Sequence, residues 1–149
     1  MSLPSVHGTA ISIDGRGVLL RGAPGSGKSS LALRLIDTVG FGLYEKPMIT
    51  KLIADDQVCL IKREQKITMQ APHALSGLLE IRGIGIFRAP CCPSTELVLV
   101  VDLVPFSQIE RLPETGSQTV DILGIAFRRV FLDAHQPAAP AILRAALSI

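Results

Sequence analysis

The string Gly22-Ala23-Pro24-Gly25-Ser26-Gly27-Lys28-Ser29 constrains this chain more than any other part of it. It satisfies G-x-x-x-x-G-K-[ST] at every fixed position. Glycines let successive main-chain N–H groups turn inward and surround phosphate oxygens. A helix starting near Lys28 adds the positive end of its dipole. The Lys28 ammonium is placed to reach β- and γ-phosphates, and the Ser29 hydroxyl is a hard oxygen ligand for Mg²⁺. The flanks agree with this reading. Gly17–Arg21 is an apolar run that reads as a buried strand. Ser29–Val39 carries Leu31, Leu35 and Ile36 on one helical face, and Gly40 stops it. The expected nucleotide-binding residues are therefore Gly22, Ala23, Pro24, Gly25, Ser26, Gly27, Lys28, Ser29 and Ser30, with ATP and Mg²⁺ as ligands.

Composition excludes several other classes. The chain has 149 residues, enough for one domain with a real core, so residues 1–149 are expected to form a single catalytic domain. Hydrophobic residues make up 48% and charged ones 19%, which argues against disorder. A formal charge of +2, no Trp and one Tyr give no basic or base-stacking surface for nucleic acid. Cys59, Cys91 and Cys92 form neither a disulfide framework nor a zinc spacing, so reduced thiols are expected. The first residues lack the basic start and apolar run of a signal peptide. The longest apolar run, Leu97–Val101, is too short to span a bilayer. A cytoplasmic protein without membrane contact is the expectation.

Along the chain, Val6–Ile13 reads as a strand and Asp14–Gly17 as a turn. Gly42–Lys51 is polar and mixed, and reads as an exposed loop. Leu52–Ala54 is a short strand ending at Asp55-Asp56, with Val58–Lys62 and Lys66–Gln70 as further strands. Glu80–Phe87 is punctuated by glycine. Glu96–Val104 is the clearest central strand. Gln108–Thr115 reads as loop, Arg128–Leu132 as strand with Arg128-Arg129 at a solvated edge, and Pro140–Leu147 as helix. Strands interleaved with helices predict an α/β fold: a mixed sheet with flanking helices, carrying the phosphate loop.

Phosphoryl transfer needs carboxylates for metal and proton. Asp55 and Asp56 follow one apolar strand, and adjacent residues of an extended strand face opposite ways, so the two can serve different tasks. Sequence leaves open which does which. Asp102 follows a second apolar strand, but Leu103-Val104-Pro105 continues past it, and a structural role is expected there.

Several strings together resemble the catalytic domain of bacterial HPr kinase/phosphorylase. They are Val6-His7-Gly8, the glycine loop, Leu52-Ile53-Ala54-Asp55-Asp56 and Leu79-Glu80-Ile81-Arg82-Gly83-Ile84-Gly85-Ile86. The last is the most specific, since it is no general feature of phosphate loops. The resemblance covers roughly residues 5 to 112 and implies a fold like that of phosphoenolpyruvate carboxykinase. It implies a serine kinase acting on an HPr-type phosphocarrier protein, with phosphorolysis as the reverse reaction, and a homo-oligomer, in the family a hexamer. Carried over residue by residue, it gives His7, Lys28, Asp55, Asp56 and Arg111 as catalytic, and Ser29 and Glu80 as metal ligands. The chain differs in resembling a short form with the catalytic domain only, in a longer Phe41–Lys51 loop, in lacking an arginine- and glycine-rich segment after Arg111, and in ending soon after Leu147. The other readings compatible with the glycine loop are a small-molecule kinase and a nucleotide-binding regulator without transfer.

Overall fold

The computed structural model describes residues 3–114 and 116–148. Thr115, which closes the expected Gln108–Thr115 loop, lies outside the described residues. The fold is a mixed α/β arrangement built on a curled sheet. Strands β1 (Ser5–His7), β2 (Thr9–Ile13) and β3 (Arg16–Arg21) lead to helix α1 (Lys28–Asp37). Strands β4 (Thr50–Ala54), β5 (Gln57–Arg63) and β6 (Lys66–Gln70) follow, then a separate hairpin of β7 (Leu78–Ile81) and β8 (Gly85–Arg88). The long strand β9 (Ser94–Leu103), the pair β10 (Thr119–Ile122) and β11 (Ile125–Leu132), and helix α2 (Ala139–Leu147) complete it.

Strand β9 is central, as its apolar run predicts. Its first residues pair antiparallel with β6, and its later ones pair parallel with β3 on one side and β11 on the other. β2 lies between β3 and β4, antiparallel to both. It is buried along its whole length, which explains why Thr9–Ile13 shows no clean alternation. The sheet separates two apolar clusters. Leu31, Ala32 and Leu35 of α1 and Leu143 and Leu147 of α2 pack with Val18, Leu20 and Val101 on one face. Leu19, Ile53, Leu60, Met69 and Val100 form the other cluster, to which neither helix contributes. Both described helices thus pack on one face of the sheet. The curl of the sheet brings β5 and β6 to the second face, where their side chains build the other cluster. Each fully buried Leu or Ile contributes roughly 1.5–3 kcal/mol.

Three other expectations need correction. Val6–Ile13 is two strands broken at Gly8, because β1 pairs with β5 while β2 pairs with β3 and β4. The Gly42–Lys51 stretch is not all exposed loop: Met48 is buried and Thr50 already belongs to β4. Arg128-Arg129 is not at an edge, since β11 is paired on both sides. Arg129 Nη1 lies 3.4 Å from Asp102 Oδ2, and Asp102 also takes Arg21 in a two-pronged pair at 2.8 and 2.9 Å. That carboxylate has the structural role expected of it. No described helix is long and apolar enough to cross a membrane.

Helix α1 ends for a tertiary reason. The Arg144 guanidinium, from α2, donates to the carbonyls of Leu35 and Thr38 and so caps the last turn of α1. Burial holds this guanidinium below its ordinary pKa. Gly40 is needed beneath it, because a Cβ there would stand 2.2 Å from Arg144 Nη1. Arg144→Leu is therefore expected to lower the unfolding free energy in urea by about 1–3 kcal/mol. Ile142→Ala, two residues away on the same helix and 41% exposed, is expected to change it by no more than about 0.5 kcal/mol.

Candidate functional site

Two sharp corners of the chain nest against each other at one end of the sheet. One joins β1 to β2 at Gly8. The other joins β4 to β5 at Asp55-Asp56. The Gly8 N–H donates to the Asp56 carbonyl at 3.1 Å. A side chain at position 8 would put its Cβ 2.7 Å from the Leu20 carbonyl oxygen, so glycine lets this corner lie tight against β3. Asp56 has φ of 69°, a left-handed conformation that Asp tolerates better than most residues. The turn separates the two carboxylates.

Asp55 faces inward. Its Oδ1 accepts from the Ser29 hydroxyl at 2.7 Å and the Thr9 hydroxyl at 3.0 Å, and its Oδ2 from the Glu80 amide at 3.3 Å. Asp56 faces outward, with its side chain 78% exposed and Oδ1 2.9 Å from His7 Nε2, an ion pair when the imidazole is protonated.

The glycine loop sits beside this pair. Gly25 and Gly27 have φ of 81° and 97°, so the loop needs glycine at both. Gly27 caps α1 without any side-chain bond, and the first helical turn carries no acidic residue. The helix therefore presents its first N–H groups and its positive dipole end uncompensated. Lys28 is folded back on the loop, donating to the carbonyls of Gly22 at 2.9 Å and Ala23 at 3.2 Å. The Ser26 hydroxyl is buried without a hydrogen-bond partner among the described residues.

These groups surround one cavity of about 590 Å³. The predicted residues on its wall include Pro24, Gly25 and Gly27 from the loop, Lys28, Ser29 and Ser30 from α1, and His7, Asp55, Asp56 and Glu80. Gly22, Ala23 and Ser26 belong to the loop but not to the wall. Arg111 is exposed beyond a short turn at Phe106–Gln108 and does not line the cavity. Four wall residues were not among the predicted site residues: Thr9, Leu33, Ile81 and Arg82. Thr9 directly follows the Val6-His7-Gly8 string, and Ile81 and Arg82 lie inside the Leu79–Ile86 string, but a lone Thr, Leu, Ile or Arg at these positions carries no signal of its own.

Chemically, the cavity pairs anion-binding amides and an ammonium with acidic oxygens. No three His, Cys, Asp or Glu side chains among the described residues are grouped to hold a metal alone. Mg²⁺ does not need such a cage, since it takes one or two carboxylates and completes its shell with water and phosphate oxygens. The Ser29 hydroxyl and the Asp55 and Glu80 carboxylates are hard donors of that kind.

A family model described as the HPr Serine kinase C-terminal domain matches residues 2–143. The chain is 37% identical over 136 residues to an HPr kinase/phosphorylase of Burkholderia lata, a match spanning 85% of this chain and 39% of that protein. It is 36% identical over 137 residues to the HPr kinase/phosphorylase of Limosilactobacillus reuteri, with the same coverage of 85% and 39%. The chain thus spans well under half the length of these curated relatives. Among solved structures, the Hpr(Ser) kinase/phosphatase from Coxiella burnetii superposes with a TM-score of 0.77 at 25% identity, over 97% of this chain and 88% of that one.

The charge arrangement is open to direct measurement. Removing the Lys28 ammonium leaves the amides but deletes the one cation inside the loop. Lys28→Ala is expected to weaken binding of inorganic tripolyphosphate about ten- to a hundred-fold, read by calorimetry, with circular dichroism unchanged.

Proposed function

The chain belongs to the HPr serine kinase C-terminal domain family, and on that premise we propose that it is a kinase catalytic domain moving a phosphoryl group from ATP to a serine hydroxyl of an HPr-type phosphocarrier protein. The observation that carries this reading is the asymmetry of the aspartate pair: Asp55 is tied to Ser29 beside the loop, and Asp56 is turned outward onto His7. A phosphate loop at Gly22–Ser30, in a fold like that of phosphoenolpyruvate carboxykinase, belongs to the same proposal.

Each residue has a task set by its surroundings. The N–H groups from Gly25 to Ser30 hold phosphate oxygens. Lys28 exchanges the carbonyls of Gly22 and Ala23 for the β- and γ-phosphates, a charge-assisted replacement of neutral bonds. Ser29, Asp55 and Glu80 would hold Mg²⁺. When bound, that ion would neutralise charge on the nucleotide's phosphates. Asp55 has its oxygens engaged by three hydrogen bonds beside the loop, which places it to hold the metal rather than to meet an incoming serine. Asp56 lacks those donors and stands in the open, where a protein serine can reach it. It takes the serine proton as the oxygen attacks the γ-phosphorus and ADP leaves, and His7 orients it. In the reverse direction inorganic phosphate attacks phosphoserine, pyrophosphate forms, and protonated Asp56 returns the proton to the serine oxygen. Arg111 is proposed to act in that reverse reaction. A cytoplasmic location and assembly as a homo-oligomer, a hexamer in the family, complete the proposal.

Incubation with Mg-ATP and the HPr of the same organism is expected to give one phosphoserine on HPr by mass spectrometry. Added inorganic phosphate is expected to remove it with release of pyrophosphate. Phosphorylation of small metabolites instead, or tight ATP binding with no transfer, would overturn the reading. Asp56→Asn is expected to slow transfer by about 10²–10⁴-fold while ATP affinity changes less than about three-fold, because a base acts in the transition state rather than in binding.

A further inference from the structure

We propose that Thr9 is a positioning residue that sets the magnesium-side carboxylate, and that the tripeptide His7-Gly8-Thr9 assigns the two aspartates their separate roles. The proposal rests on the reading of Asp55 and Ser29 given above. Each residue of the tripeptide makes one bond to the aspartate corner. His7 meets the Asp56 carboxylate, the Gly8 N–H donates to the Asp56 carbonyl, and the Thr9 hydroxyl donates to Asp55 Oδ1.

Thr9 is suited to fix a rotamer. It is fully buried, and its strand is held between β3 and β4. Its β-branched side chain has few χ1 choices. The Glu80 amide, the third donor, comes from the separate β7–β8 hairpin and is longer at 3.3 Å. Thr9 is thus the rigid anchor of the carboxylate. The consequence falls on Ser29. A hydroxyl has one proton and two lone pairs. With its proton committed to Asp55 Oδ1, Ser29 has lone pairs free for a cation. That commitment holds only while Asp55 stays in place. Loss of the Thr9 hydroxyl therefore costs the gain that magnesium gives to nucleotide binding, not the binding of nucleotide alone.

The test is calorimetry of the full chain with a non-hydrolysable ATP analogue, once with Mg²⁺ and once with EDTA. Wild type is expected to bind more tightly with Mg²⁺. Thr9→Val is expected to cut that gain about five-fold or more while the affinity in EDTA stays within about two-fold. Thr9→Ser is expected to restore most of it. In an Asp55→Asn background, Thr9→Val is expected to cost nothing further, because the two residues act as a unit. If Thr9→Val does not fold, Thr9→Ala against Thr9→Ser gives the same comparison. A full magnesium gain without the hydroxyl, or an equal loss in both backgrounds, overturns the role of Thr9 and leaves the site reading standing. No magnesium gain in wild type overturns the site reading itself, and this inference with it.

Discussion

One carboxylate holds the working end of this molecule together. Asp55 is half-buried, and a charge taken out of water is costly unless hydrogen bonds replace the lost solvent. Its donors come from three different segments: Thr9 in β2, Ser29 in α1 and Glu80 in the β7–β8 hairpin. Each bond to a charged acceptor contributes roughly 1.5–3 kcal/mol. The same three bonds set the distance between the glycine loop, the strand corner and the hairpin, so satisfying Asp55 and building the cavity are one event.

The sheet supplies the frame on which that event takes place. Parallel strands β3, β9 and β11 run side by side, and β3 ends where the glycine loop begins. Arg21, the residue before Gly22, is clamped by Asp102, which also lies against Arg129. The clamp holds the strand that carries the loop. It also occupies Asp102, which explains why the carboxylate after the most apolar strand is not the one in the cavity. A second arginine works the same way at the far end of α1, where Arg144 closes the helix and ties it to α2.

Within the proposed function, the corner at Asp55-Asp56 separates two chemistries that would interfere if merged. Asp55, engaged by three donors, is held in place beside the loop and suits a metal ion. A carboxylate facing solvent with one imidazole partner is free to exchange a proton with an incoming serine. The left-handed turn at Asp56 lets adjacent residues meet such different surroundings.

What depends on neighbours along the chain was legible from the residues alone. Glycine spacing dictated the loop, apolar spacing gave α1 and β9, and the Leu52–Asp56 string placed two acids after a strand. The LEIRGIGI string gave the family resemblance. These are local properties, set by φ preference and by periodicity. Long-range packing set which aspartate faces which way, brought Thr9 and Arg82 to the cavity wall, left Arg111 away from it, and put both helices on one face. The bonds that settle the aspartates join residues 46, 26 and 25 positions apart. No local rule fixes such pairs, because they form when the sheet curls and brings two corners into contact, and that curl is a property of the whole set of strands.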